Sequence, residues 1–144
     1  MADGQSARLD EIIADHIGRE GPLLPILHDV QSTFGHVSEE AKRQIAKALN
    51  LTRAEVHGVV SFYHDFKSAP AEKPVLKLCR AEACKARGVE ALVADAQAAA
   101  GDRVAIETIY CLGLCSVGPN AMIGKSVHAR LDGAKLDALI RELA

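Results

Sequence analysis

Four cysteines stand in two close pairs, Cys79-x4-Cys84 and Cys111-x3-Cys115, and each pair follows a short apolar run. The first run, Pro74–Leu78, ends at Cys79, and the second, Val104–Ile109, ends just before Cys111. Between the pairs lie 26 residues, enough for a helix and a returning strand. Glu90–Ala100 is alanine-rich and helical in pattern, and Gly101 stops it. Strand, helix and strand in that order form a crossover with parallel strands, so both carboxyl ends lie on one edge of a sheet. Two thiol-bearing loops are thereby brought to one rim, where open α/β sheets place their ligand sites. Ala121–Ile123 and Val127–Leu131 read as a hairpin turning at Gly124-Lys125. Gly133–Leu143 closes the chain as an amphipathic helix through Leu136, Leu139, Ile140 and Leu143. The expected order is β-α-β-β-β-α, an α/β arrangement.

The preceding residues have a different periodicity. In Ala7–Gly18 the apolar Leu9, Ile12, Ile13 and Ile17 fall at helical spacing, and Gly21-Pro22 breaks the pattern. Leu23, Leu24, Leu27, Val30 and Phe34 predict a second helix, with Gly35 placed to end it. Ser38 is a cap for a third, with Glu39 and Glu40 facing the positive end of its dipole and Asn50 as its stop. Thr52-Arg-Ala-Glu55 is a capping-box pattern opening a fourth helix through Val56, Val59, Val60 and Tyr63. Short connections predict a compact bundle. Lys67–Pro74, small, polar and with two prolines, reads as a linker. The expected division is a helical bundle over 1–68 and an α/β domain over 69–144.

Length and composition limit the partners. At 144 residues and a formal charge of -2, the chain has no general electrostatic reason to bind nucleic acid. Three Phe, two Tyr and no Trp leave few rings on which bases would stack. The start, MADGQSARLDEII, lacks the basic region and apolar core of a secretory signal. No apolar run approaches the roughly 20 residues that span a bilayer. A soluble, cytoplasmic protein without direct membrane insertion is expected, although such a chain can dock on a membrane complex. In that setting four cysteines are ligands or redox groups more often than disulfides.

Four soft thiolates suit zinc or an iron–sulfur cluster. Structural zinc usually uses Cys-x2-4-Cys knuckles, and the Cys-x4-Cys loop also matches the wider first spacing of plant-type ferredoxins, which suits a binuclear cluster. No histidine lies between Cys79 and Cys115, which disfavours a Rieske centre. Gly113 lets backbone N–H groups approach a sulfide, and Leu112 and Leu114 can exclude water. Arg80, Lys85 and Arg87 either offset cluster charge or are solvated surface cations. A thiol oxidoreductase would carry Cys-x-x-Cys, which does not occur. The histidines His16, His28, His36, His57, His64 and His128 read as surface or packing residues, and no phosphate-binding glycine motif is present. Phe62, Tyr63 and Phe66 read as helical core, with a partner-contacting patch as the alternative. Gly118-Pro119-Asn120 either fixes the exit of the cysteine loop or simply turns the chain.

Cys79-Arg-Ala-Glu-Ala-Cys84 followed by Cys111-Leu-Gly-Leu-Cys115-Ser-Val-Gly-Pro119 resembles the thioredoxin-like [2Fe-2S] subunit of NADH dehydrogenase (complex I). The same family includes small subunits of NAD-reducing hydrogenases and NAD-dependent formate dehydrogenases. The helical half fits through Gly35-His-Val-Ser-Glu-Glu and Val59-Val-Ser-Phe-Tyr63-His-Asp-Phe66. One departure is Arg-Ala-Glu-Ala inside the first loop, where relatives commonly carry small hydroxyl residues. The resemblance implies a thioredoxin-like domain whose Cys79, Cys84, Cys111 and Cys115 hold one [2Fe-2S] cluster. It also implies a flavoprotein partner that carries FMN and binds NAD(H). A hydride delivers two electrons to flavin, while iron–sulfur centres take one at a time, so a nearby cluster can store or pass the second. The chain is compact for the family. The expected parent is therefore a soluble formate dehydrogenase with this chain as gamma subunit, with hydrogenase or complex I as alternatives. No complete active site is expected in this chain alone.

Overall fold

The computed structural model describes residues 3–144. The chain divides into two compact units, one running to Ala71 and the other spanning Glu72–Ala144. The first is helical: α1 (Asp3–His16), α2 (Leu23–Phe34), α3 (Glu39–Leu49) and α4 (Arg53–Phe62). Its core gathers Leu9, Ile12 and Ile13 of α1 with Ile26, Leu27 and Val30 of α2, Ile45 of α3 and Val56 and Val60 of α4. Ile17 lies just beyond the end of α1 and is half exposed, so the helical spacing of apolar residues runs one residue past the helix.

Caps fix the helix boundaries. Ser38 Oγ accepts the Ala41 N–H at 3.1 Å. Glu55 closes the reciprocal box with Thr52, whose Oγ1 accepts the Glu55 N–H at 3.2 Å while its N–H donates to the Glu55 carboxylate at 2.7 Å. Gly35 and Asn50 end α2 and α3 in the left-handed conformation. Lys42 is buried in this unit, its Nζ donating to Glu39 Oε1 at 2.6 Å beside the His57 ring. The expected linker does not begin at Lys67. That residue's carbonyl accepts the Val37 N–H at 2.7 Å and its N–H donates to Gln31 Oε1 at 2.9 Å, which ties it to the helical unit.

The second unit is a four-stranded sheet in the order β2-β1-β3-β4, with β1 Val75–Cys79, β2 Ala105–Ile109, β3 Ala121–Ile123 and β4 Ser126–His128. Strand β1 pairs in parallel with β2, from Val75 opposite Ala105 to Cys79 opposite Ile109. It pairs antiparallel with β3, Leu76 facing Ile123. Helices α5 (Glu82–Ala86) and α6 (Glu90–Ala100) cross from β1 to β2, and α7 (Gly133–Leu143) packs against α6. Leu76, Leu78, Val89, Ala96, Val104, Leu136 and Ile140 form the core.

Two segments depart from the expected pattern. The first cysteine pair is not carried on a loop alone, because α5 places Cys84 on a buried helical turn. Five residues are too few to show a helical period, but Glu, Ala and Lys are strong helix formers. The hairpin's second strand is Ser126–His128, shorter than Val127–Leu131. There the backbone leaves the ladder: the Arg130 N–H donates to Val117 O at 2.7 Å and the Leu131 N–H to Pro119 O at 3.0 Å. These bonds tie the hairpin to the segment that follows Cys115.

Candidate metal centre

Cys79 is the last residue of β1 and Cys111 follows β2 by two residues, so the parallel pair delivers both cysteine segments to one edge. The Cys111 N–H donates to Cys79 Sγ at 3.3 Å, a direct bond between the two pairs. Cys79 and Cys84 are buried, whereas Cys111 and Cys115 are exposed, and all four are free thiols. Cys111 Sγ and Cys115 Sγ lie 3.6 Å apart. Disulfide sulfurs stand about 2.05 Å apart, so this is a contact rather than a bond. The chain reverses tightly between them, with Cys111 at φ 69° and Gly113 at φ 77°. Gly113 adopts that region without strain, and a side chain there would not.

The sulfurs sit in a field of donors and of one another. Burial pushes the Cys79 thiol up, but N–H groups of Ala81, Cys111 and Leu112 and the Cys84 thiol donate to it, and its net displacement is downward. Burial raises Cys84, as do its hydrogen bond to Cys79 and the charges of Cys79 and Cys115, against an opposing N–H of Asn120. Cys115 is raised chiefly by its contact with Cys111. The charge of Cys79 also acts on Cys115, so both pairs share one electrostatic site. Leu112 and Leu114 are half buried, and Leu112 packs against the core that includes Cys79 and Cys84.

The cations near the centre are largely committed elsewhere. Arg80 makes a two-pronged pair with Glu90, Nε to Oε1 at 2.9 Å and Nη2 to Oε2 at 2.6 Å. Lys85 Nζ stands 3.6 Å from Glu82 Oε1. Arg80 holds the Glu90 carboxyl below its ordinary value of 4.5. A carboxyl lowered in the folded state stabilises the fold above its unfolded pKa, and that contribution is lost as pH falls through the folded value. Glu90→Gln should therefore lower the urea midpoint slightly at neutral pH and leave it close to the parent's below the ordinary carboxyl value, so that the acid limb between them is flatter. An acid limb identical to that of the parent chain would remove Glu90 from the account.

Among the described residues, no three His, Cys, Asp or Glu side chains surround a single ion-sized point. The donor set is all sulfur, in two pairs bridged by an amide, and thiolates accepting N–H bonds are the usual ligands of iron–sulfur clusters. The protein-family model described as thioredoxin-like [2Fe-2S] ferredoxin matches residues 9–144. The chain belongs to this family. It is 30% identical over 133 residues to the NADP-reducing hydrogenase subunit HndA of Solidesulfovibrio fructosivorans, covering 86% of this chain and 78% of that protein. It is 27% identical over 136 residues to the NADH-quinone oxidoreductase subunit 2 of Thermus thermophilus, covering 88% of this chain and 75% of that one. The crystal structure of an NAD+-reducing [NiFe]-hydrogenase in the H2-reduced state superposes with a TM-score of 0.71 at 29% identity, over 84% of this chain. This chain spans 22% of that hydrogenase chain. The fold is thus the expected helical segment plus thioredoxin-like ferredoxin unit, and the family's cofactor is a [2Fe-2S] cluster.

Several of the other residues singled out in the sequence have partners inside the helical unit. His16 Nε2 pairs with Asp29 Oδ2 at 2.6 Å, His28 stacks edge-on against Phe66, and His57 lies beside Lys42. Phe66 is buried as expected, but Phe62 and Tyr63 are not core: Phe62 is 75% exposed and Tyr63 is 43% exposed. Phe62 is the last residue of α4 and lies off the helical spacing of the buried Val56 and Val60, and Tyr63 follows the end of the helix. No helix among the described residues is long and apolar enough to cross a membrane.

Proposed function

We propose that this chain is an electron-transfer subunit of an NAD-linked oxidoreductase. In this reading Cys79, Cys84, Cys111 and Cys115 hold a [2Fe-2S] cluster, and the partner is a flavoprotein carrying FMN and binding NAD(H). The observation that carries it is the bond from the Cys111 N–H to Cys79 Sγ, which places the second cysteine pair against the first. When bound, the cluster supplies one-electron exchange. The chain's own residues do the rest. Cys79 and Cys84 ligate from the protein side and Cys111 and Cys115 from the solvent side, where a partner has access. Amides of Ala81, Cys111 and Leu112 offset negative charge on Cys79, and Leu112 and Leu114 limit water. The relatives' names support the NAD(P)-linked setting, but they are hydrogenase and NADH-quinone oxidoreductase names, so they lend no weight to the expected formate dehydrogenase parent.

Anaerobic purification from the native host tests both parts. Iron and acid-labile sulfide in equal amounts, a paramagnetic signal on one-electron reduction and a co-purifying flavoprotein are expected. Stoichiometric zinc without iron would overturn the cofactor assignment, and a cluster-loaded chain recovered alone would overturn the partner. The third component retrieved, from a formate dehydrogenase, a hydrogenase or a quinone-linked complex, identifies the parent.

A further inference from the structure

We infer that Asn120 is a positioning residue for the metal centre, one side chain and one backbone carbonyl that lock the three cysteine-bearing segments together. Asn120 is buried, 1% exposed, directly before β3. Its carbonyl accepts the Cys79 N–H at 2.9 Å, which holds the end of β1. Its side-chain Nδ2 donates to Leu114 O at 2.8 Å and lies 3.7 Å from Cys84 Sγ. One residue therefore contacts β1 at Cys79, α5 at Cys84 and the loop immediately before Cys115.

The other end of the same amide argues against a purely structural role. Asn120 Oδ1 is buried with no hydrogen-bond partner. An unsatisfied buried acceptor is costly, so a residue chosen for stability alone would not carry one. The side chain keeps its donor end where the sulfur is and accepts the penalty at the other. The approach is also cleared of obstruction. A Cβ on Gly118 would stand 3.1 Å from Cys84 Sγ and 3.7 Å from Asn120 Nδ2, so a side chain there would crowd the sulfur and glycine lets the segment lie close against it.

This inference rests on the cluster reading above, and its test separates the two. Asn120→Leu removes the donor and the orphan oxygen together while keeping the branched shape of the side chain. In the cluster-loaded full-length protein, a hydrogen bond to a ligating sulfur favours the more negative reduced state. Asn120→Leu should therefore shift the midpoint potential to more negative values and speed iron loss to a chelator. Outer-shell partners typically change metal affinity by roughly 10–100-fold, which sets the expected scale. In the metal-free chain, Cys84 should be alkylated faster by iodoacetamide, followed residue by residue by mass spectrometry. Thermal unfolding of that metal-free chain should hold or rise. Asn120→Ser, with one shorter donor, should fall between the two and also serves if the leucine variant misfolds. Unchanged potential, iron retention and Cys84 alkylation would overturn the inference, as would a variant in which only thermal stability falls. A wild-type chain that never takes up iron and sulfide would overturn the cluster reading instead, and Cys84 alkylation would still decide the role of Asn120.

Discussion

Cys111→Ser should yield a folded protein that has lost its cluster. The exposed thiol contributes little to the core, and its φ of 69° is a backbone requirement that serine meets no worse than cysteine. Far-ultraviolet circular dichroism and the unfolding midpoint of the metal-free chain should therefore stay close to the parent's. What changes is ligation. A serine oxygen is a harder and less readily ionised donor than a thiolate, and soft sulfur is what iron–sulfur clusters select. Cys115 Sγ, 3.6 Å away, would be left as the sole outer ligand. Because even outer-shell changes cost roughly 10–100-fold in metal affinity, loss of a direct ligand should exceed that range. Iron per chain, acid-labile sulfide and the visible charge-transfer bands should fall together, whereas an unaltered visible spectrum would take Cys111 out of the ligand set. Cys79→Ser is a poorer probe, because Cys79 is also buried core and its loss would mix ligation with packing.

The contrast between these cysteines shows how much of the centre is legible in the sequence. Spacing and strand pattern place both pairs at the carboxyl ends of parallel strands, because the short apolar runs and a 26-residue crossover leave few alternatives. Which thiols are inner and which outer is not legible, because it depends on α5. That helix has five residues, too few for a period to register, yet it turns Cys84 inward. Capping residues mark the boundaries of the helical unit because Ser38, Thr52 and Glu55 satisfy specific backbone donors, a local chemistry written in adjacent residues. Burial beyond the helix ends is not local. Phe62 and Tyr63 are expected in the core, but α4 stops at Phe62, so Tyr63 no longer follows its apolar face and both rings are exposed. Lys42 departs in the opposite direction. It is a lysine on a helix face that the fold encloses, and only the structure shows Glu39 and His57 close enough to accommodate it. Asn120 carries a weak signal, a polar residue after Gly118-Pro119 at the mouth of the hairpin. Its contacts with three separate segments arise from tertiary convergence, which no sequence period encodes.

Leu76→Ala should unfold the sheet unit at markedly lower denaturant and take the cluster with it, although residue 76 is not a ligand. Leu76 is fully buried on β1, the strand flanked on both sides, opposite Ile106 of β2 and Ile123 of β3. It shares a sheet face with Leu78, two residues on, above the core that includes Leu136 and Ile140. Truncation removes the transfer free energy of the missing carbons and leaves a cavity, a combined cost of about 2–5 kcal/mol for buried leucine. With urea slopes of about 1–3 kcal/mol per M for small proteins, the midpoint should fall by roughly 1–3 M. Strand β1 ends at Cys79, so melting it disperses the thiols that its register with β2 brings together. Visible absorption of the cluster should accordingly bleach at the same urea concentration at which the sheet is lost. Ile26→Ala provides the matched control, because Ile26 is equally buried but belongs to the separate helical core. It should lower the helical signal's midpoint by a similar amount and leave the cluster's bleaching where it was. Bleaching that moves equally in both variants would show the two cores to unfold as one and would refute their independence; bleaching that moves in neither would show that β1 does not control the site.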